Sequence, residues 1–330
     1  MASSSTDPNA PATIQITPTL LDEILDSTIT LAHKAGDLIL EGSLAIQSSH
    51  AAEESEKKNS VDLVTEYDVK VEELVKGELG KTWEGFKFIG EESYAAGSRP
   101  PLTNEPTFCV DPIDGTTNFI HGFPHSCVSI GLIYNKSPIL GVIYNPHLDQ
   151  LFYASKGNGA YLIQQGRKVK LPLAKPPKEL KSLSKALIGV EWGSDRSLSL
   201  IQQKSASFSK LAGNPAEGVI GGQMAHSLRS LGSAALNYSM VAMGGLDIYW
   251  EIGCWPWDIC AGSIIAQEAG GFVAGGHNAP LDNNVDEAVL NGRKYIVIRA
   301  IGDTPEEKGV DAQKRLIKEF YETVSDFEPK

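Results

Sequence analysis

Asp111-Pro112-Ile113-Asp114-Gly115-Thr116-Thr117-Asn118-Phe119 is the stretch from which the rest of the chain is read. It sets two carboxylates three residues apart, ahead of a Gly turn and a run of hydroxyl and amide side chains. The approach, Phe108-Cys109-Val110, reads as the end of a strand. Pro112 cannot donate to a sheet ladder, so the strand is expected to stop there. Asp111 and Asp114 would then flank a tight turn at the carboxyl end of a strand, where open α/β sheets place their sites. Two acids so close repel each other unless a cation or a proton lies between them. Asp oxygens are hard ligands suited to Mg²⁺. Asp-Gly is also ordinary turn chemistry, and Asp-x-x-Asp-Gly alone reads first as a turn.

The chain has 330 residues, 42% hydrophobic and 21% charged, enough for a substantial core in one large domain or two subdomains. Its net charge of -12 argues against nonspecific binding to nucleic acid or an anionic membrane. A phosphate ester is still acceptable if bound cations reverse the local sign. The four cysteines (109, 127, 254, 260) form no C-x-x-C pair, which argues against zinc, and Cys109 reads as a small apolar packing residue. Residues 1–18 are rich in Ser, Thr, Ala and Pro and read as a disordered tail without the features of a signal or transit peptide. No apolar stretch approaches the length of a membrane span, and the cytoplasm is the default compartment.

Residues 19–40 read as a helix, with Ile24, Thr28, Leu31, Ala35 and Leu38 inward, His33 structural and Gly42 near the stop. Residues 50–60 read as a mobile loop or hairpin. Thr65-Glu66-Tyr67-Asp68 looks like a capping box opening a second helix, with Val71, Leu74, Val75 and Leu79 inward. A short strand, 86–89, leads to Gly90-Glu91-Glu92-Ser93. Strands 128–134 and 138–144 form a hairpin, and 151–154 and 160–162 extend its sheet. The Lys- and Pro-rich segment 166–184 reads as a subdomain junction. Beyond it, strands (186–190, 247–250, 295–299) and helices (198–211, 233–243, 258–269, 312–324) alternate, which predicts α/β layering. The expected division is a subdomain over 19–165 and one over 166–330.

The nine-residue stretch resembles the metal-binding signature of the inositol monophosphatase family, within the Mg²⁺-dependent, Li⁺-sensitive phosphatases. A second stretch, Trp257-Asp258 with Ala261-Gly262 and Glu268-Ala269-Gly270-Gly271, resembles the family's other signature. The likeness runs from about Leu20 to near the C-terminus. It implies a layered αβαβα sandwich with mixed sheets, a homodimer, and a site between the two halves holding two to three Mg²⁺ ions per subunit. It assigns Glu91, Asp111 and the Ile113 carbonyl to a first metal, and Asp111, Asp114 and Asp258 to a second. A third ion would sit near Glu91. Each has a plainer reading: Glu91 as an exposed acidic loop, Asp258 as a helix N-cap, Asp68 as a capping residue.

The same resemblance makes Thr116, Glu91 and Asp68 catalytic, with Thr116 hydrogen-bonded to Asp68 and aiming the attacking water together with Glu91. It places Asp114, Gly115, Thr116, Thr117, Ser194, Gly232, Ser233, Ala234, Glu251 and Asp258 around the substrate. Gly232 is equally ordinary loop-to-helix punctuation. Lys57 or Lys58 corresponds to a lysine on the family's mobile hairpin. In Ile252-Gly253-Cys254-Trp255-Pro256-Trp257 the extra Trp and Pro make the rim bulkier and stiffer than in the family's animal members. Either the leaving group differs, or the rim is rearranged around the same one. The implied activity is hydrolysis of myo-inositol monophosphate, serving inositol supply and phosphatidylinositol signalling. The rivals are a sibling phosphatase for a nucleotide or sugar bisphosphate, against which Thr117-Asn118 weighs, a non-catalytic phospho-sugar sensor regulating a fungal catabolic pathway, and a structural protein with incidental acidic loops.

Overall fold

Thr17 caps the first helix, its hydroxyl accepting from the Leu20 N–H at 3.2 Å, and Pro18 occupies the first helical position, where its missing N–H costs nothing. This computed structural model describes residues 14–48, 54–56 and 63–329. Residues 1–13 of the expected tail, and Lys57 and Lys58, lie outside the described residues. Helix α1 (Pro18–Ser48) buries Ile24, Thr28, Leu31, Ala35 and Ile39 on one face, with Leu38 half-buried and His33 outward, edge-on to Tyr144. It does not stop at Gly42. A Cβ there would lie 2.5 Å from the Tyr67 ring, so the glycine serves a close crossing rather than a helix end.

Strands β1 (Glu54–Glu56) and β2 (Leu63–Thr65) pair antiparallel and lead into α2 (Glu66–Thr82). The expected capping box is present. Asp68 Oδ2 accepts from the Thr65 N–H at 2.8 Å, and Val71, Val75 and Leu79 face inward.

Seven strands form the first sheet in chain order: β3 (Lys87–Gly90), β4 (Thr107–Asp114), β5 (Cys127–Tyr134), β6 (Ser137–Asn145), β7 (Gln150–Ser155), β8 (Gly159–Gln164) and β9 (Arg167–Lys170). β3 and β4 run parallel and every later pair antiparallel. β4 continues through Pro112 rather than ending there. Its pairing with β5 slips between Asp111 and Asp114, and the proline sits in that irregularity, one of the places a sheet tolerates it. β9 lies in the segment read as a junction. A tight turn through Gln165 and Gly166, both at positive φ, folds it back on β8.

Side-chain alternation along β4 sends Phe108 and Val110 towards α1 and α2, and Cys109 to the other face. Short helices α3 (Glu91–Ala95) and α4 (Thr116–His121) leave the ends of β3 and β4. The second sheet takes β10 (Leu187–Val190), β11 (Ser227–Arg229), β12 (Ile248–Ile252), β13 (Phe272–Ala274) and β14 (Lys294–Ile298) in the order β11-β10-β12-β14-β13, with parallel and antiparallel pairs mixed. β11 and β13, of three residues each, are too short to show a period in sequence.

Helices α6 (Ala234–Met243) and α7 (Pro256–Glu268) lie between the sheets, whereas α5 (Leu198–Ala212) and α8 (Gly309–Thr323) cover the second sheet's outer face. The order is αβαβα, as the resemblance implied. α7 approaches the first sheet so closely that a Cβ on Gly141 would lie 2.4 Å from the Ala261 carbonyl oxygen. The layering brings the start of α3, the end of β4 and the starts of α4, α6 and α7 to one place. Among the described residues, no helix is long and apolar enough to cross a membrane.

Candidate active site

A cavity of ≈420 Å³ opens where those ends meet. Its lining includes Glu91, Asp111, Ile113, Asp114, Gly115, Thr116, Thr117, Ser194, Gly232, Ser233, Ala234, Glu251 and Asp258. Residues spread over most of the chain are thus brought together around one cavity. Asp68 stands behind the wall, fully buried, touching the site through Thr116.

The bend into α4 depends on Gly115. Its φ is +91°, and a Cβ would lie 3.0 Å from the carbonyl oxygens of both Gly232 and His125. The Thr116 hydroxyl that follows lies 3.0 Å from Asp68 Oδ1 and 3.1 Å from the Ile113 carbonyl, two acceptors for its one proton. Asp68 holds the helix cap with Oδ2 and Thr116 with Oδ1, so its structural and site roles coexist. Thr117 is exposed at the mouth. Asn118 donates to the carbonyls of His125 (2.8 Å) and Leu231 (2.7 Å), tying the α4 turn to the loop before α6.

The carboxylates are crowded. Asp111 and Asp114 are 3% and 7% exposed. Burial pushes the Asp111 carboxyl well above its usual range, and the charges of Glu91, Asp114 and Asp258 push the same way. Burial also raises Asp258, helped by Glu91 and Asp114 and opposed by the Trp255 N–H. Asp114 is pushed up to about 6, burial outweighing hydrogen bonds from Ser233, Ala235 and Ala234. Those bonds (2.6 Å from the Ser233 hydroxyl, 2.7 Å from the Ala235 N–H) bind Asp114 to the start of α6. Asp258 is the third residue of α7 and not its N-cap. Pro256 opens the helix, and Asp258 Oδ2 reaches back to the Trp255 N–H at 2.6 Å.

Among the described residues, no three His, Cys, Asp or Glu side chains converge as a ready-made ion cage. The donor set nonetheless suits a hard divalent cation. It is all oxygen, the charges of Glu91, Asp114 and Asp258 raise the proton affinity of Asp111, and buried Asp111 Oδ1 has no hydrogen-bond partner among the described residues. A cation among these groups would answer all three features.

The cavity's other end is built around a residue passed over in sequence. Glu191 follows β10, and its carboxylate accepts from the N–H groups of Leu231 (2.7 Å) and Gly232 (2.9 Å), the Ser230 hydroxyl (2.6 Å) and the Asn237 amide (2.9 Å). The signal available was an acid just past a strand end in Glu191-Trp192-Gly193-Ser194. Burial and the Glu191 charge raise Glu251 to about 7, opposed by Lys204 and by the Tyr249 hydroxyl bonded to it. The side chain of Ser233 caps α6, so Ser233 offers the cavity backbone rather than a hydroxyl.

Trp255 does not line this cavity. It stacks on Trp257 (centroids 5.4 Å apart, planes 12° apart), carries the Arg293 guanidinium 3.8 Å above its ring, and packs with Tyr94 around a neighbouring hollow of ≈270 Å³. Arg293 ties the rim together. It donates to the Gly253 carbonyl at 2.7 Å and accepts from the Gly253 N–H at 2.8 Å.

The model of the inositol monophosphatase family matches residues 20–315. Protein qutG of Emericella nidulans is 42% identical over 320 residues, covering 94% of this chain and 95% of that one. Inositol monophosphatase 2 of Saccharomyces cerevisiae is 42% identical over 323 residues, covering 94% and 98%. The solved structure of an inositol monophosphatase from Anabaena superposes with a TM-score of 0.68 at 27% identity, over 92% of this chain and 97% of that one. The crowded carboxylates at the head of this αβαβα sandwich therefore stand in a chain that belongs to the inositol monophosphatase family.

Proposed function

We propose that this chain is a Mg²⁺-dependent, Li⁺-sensitive phosphatase that hydrolyses myo-inositol monophosphate to inositol and inorganic phosphate. The observation that carries the reading is a single cavity with a crowded carboxylate end and a second end walled by Glu251, Ser194 and the 232–234 backbone. In it Glu91, Asp111 and the Ile113 carbonyl would hold one ion, and Asp111, Asp114 and Asp258 a second, with a weaker third near Glu91. Bound Mg²⁺ supplies the positive charge that offsets the phosphate dianion, acidifies water and stabilises the departing alkoxide.

The protein's own part is positional. Thr116 donates a hydrogen bond to Asp68 and turns a lone pair to accept from the attacking water, and Glu91 holds that water in line with phosphorus. The backbone of Gly115 to Thr117 faces the phosphate oxygens. Glu251 and Ser194 accept the ring hydroxyls, and the 232–234 backbone shapes the sugar's bed. No protein nucleophile is required. We further propose a cytoplasmic homodimer, each chain one catalytic domain divided into 19–165 and 166–330.

The test is phosphate release with Mg²⁺ from inositol 1-phosphate, adenosine 3′,5′-bisphosphate and fructose 1,6-bisphosphate, each with and without Li⁺. Preferred, Li⁺-inhibited turnover of inositol 1-phosphate supports the proposal. Preference for a bisphosphate keeps the mechanism and changes the substrate, and tight Mg²⁺ binding without turnover of any ester favours a phospho-sugar sensor.

A further inference from the structure

Lys204, on α5, is 1% exposed. An ammonium taken out of water is costly unless it is paired. Here it donates to the backbone carbonyls of Glu191 (3.0 Å) and Trp192 (2.7 Å), the turn that carries Ser194 into the cavity. Gly193, at φ +66°, lets that turn pass between two charges. A Cβ on it would lie 3.2 Å from Lys204 Nζ and 3.8 Å from Glu251 Oε1.

Glu191 joins this wall to the opposite one. Its carboxylate holds Leu231 and Gly232 by their N–H groups, while its carbonyl is held by Lys204. Burial pulls the Lys204 ammonium below its ordinary range, and the charges of Glu251 and Glu191 pull it back, against Arg196. In return Lys204 draws the Glu251 carboxyl down, against burial and Glu191. Two buried acids thus share one buried base, and that base also fixes the backbone of the pocket.

We propose that Lys204 is a positioning residue that sets selectivity for polyhydroxylated leaving groups, holding the Ser194 turn in place and supplying the countercharge under which Glu251 accepts ring hydroxyls. The proposal rests on the reading that the cavity takes a polyol phosphate. Without the ammonium, two carbonyls lose their donor, the turn loosens, and Glu251 becomes a protonated donor where an acceptor is needed. Lys204 is absent from the lining of the cavity, so its loss is felt through the residues it holds.

The experiment compares Lys204→Met with Lys210→Met, an exposed lysine on the same helix, in the full-length protein. Steady-state kinetics are read on inositol 1-phosphate, glycerol 2-phosphate and phenyl phosphate, which differ in the hydroxyls of the leaving group. In Lys204→Met the kcat/KM ratio of inositol 1-phosphate to phenyl phosphate should fall at least about tenfold, mostly through KM, and Lys210→Met should match wild type. Combining Lys204→Met with Glu251→Gln should lose less than the two separate effects together. An unchanged ratio, or equal loss on all three esters, overturns the proposal.

If Lys204→Met does not fold, Lys204→Gln, which keeps a donor without the charge, is read on the same ratio. If the wild type ignores inositol 1-phosphate, the proposed substrate falls instead, and Lys204 is judged on glycerol 2-phosphate over phenyl phosphate.

Discussion

The Thr116 hydroxyl meets Asp68 Oδ1 at 3.0 Å across 48 residues of sequence. The bond orients a group on the α4 turn from the cap of α2, with no atom of Asp68 in the cavity lining. Thr116→Ala removes the oriented lone pair and leaves the backbone free to keep its course. We expect kcat to fall about a hundredfold or more with KM nearly unchanged, and Thr116→Ser to recover most of it. Steady-state kinetics beside a thermal melt decide it, and wild-type kinetics in the alanine variant would remove Thr116 from the mechanism.

Asp111 is the carboxylate shared by both proposed ions, and its Oδ1 is buried without a partner among the described residues. Asp111→Asn keeps the shape and removes the charge. The expected cost is at least about 4 kcal/mol of transition-state stabilisation, roughly a thousandfold in rate. Calorimetric titration should show Mg²⁺ binding weakened in the same variant. Near-normal turnover would sink the two-ion assignment.

Much of this site could be read in the sequence because it lies in short, contiguous strings. Asp111 to Phe119 carries a strand end, a turn and a helix start together, and Thr65 to Asp68 announces its own cap. What escaped was long-range. Glu191 is an unremarkable acid until the fold lays its carboxylate against the Leu231 and Gly232 N–H groups, and Lys204 is an unremarkable helix lysine until the turn after β10 brings the Glu191 and Trp192 carbonyls to its buried ammonium. Pro112 misled because a proline ends a regular ladder but is accepted where the register slips. Gly42 misled because a close helix crossing and a helix stop use the same residue.

Raised carboxyls give the metal-free protein a definite pH dependence. Asp114 moves from an ordinary 3.8 to about 6, and Asp111 and Asp258 move in the same direction. A folded-state value above the unfolded one means the folded form binds protons more tightly. The contribution is therefore fully present below about pH 4 and is lost as pH rises through about 6. For Asp114 alone it amounts to about 3 kcal/mol. In chelator, the melting temperature should fall between pH 5 and 8 by more than in Asp114→Asn, and added Mg²⁺ should raise it more at pH 8 than at pH 5. A chelated protein whose stability rises over that range would contradict the crowding of these acids.

The Trp255 rim separates two ways in which a bulky residue beside a site can matter. If the indole shaped the substrate, its removal would change which ester is preferred. Here it faces Trp257, Tyr94 and the Arg293 guanidinium, and the active-site cavity is lined by Cys254 instead. Its backbone N–H, which steadies Asp258, survives replacement by alanine. Trp255→Ala should therefore cost stability, about 2 kcal/mol from lost stacking and cation–π contact, and leave the kcat/KM ratio of inositol 1-phosphate to fructose 1,6-bisphosphate within about twofold. Chemical denaturation reads the first and paired kinetics the second. A change of ester preference without loss of stability would return Trp255 to the substrate's side of the rim.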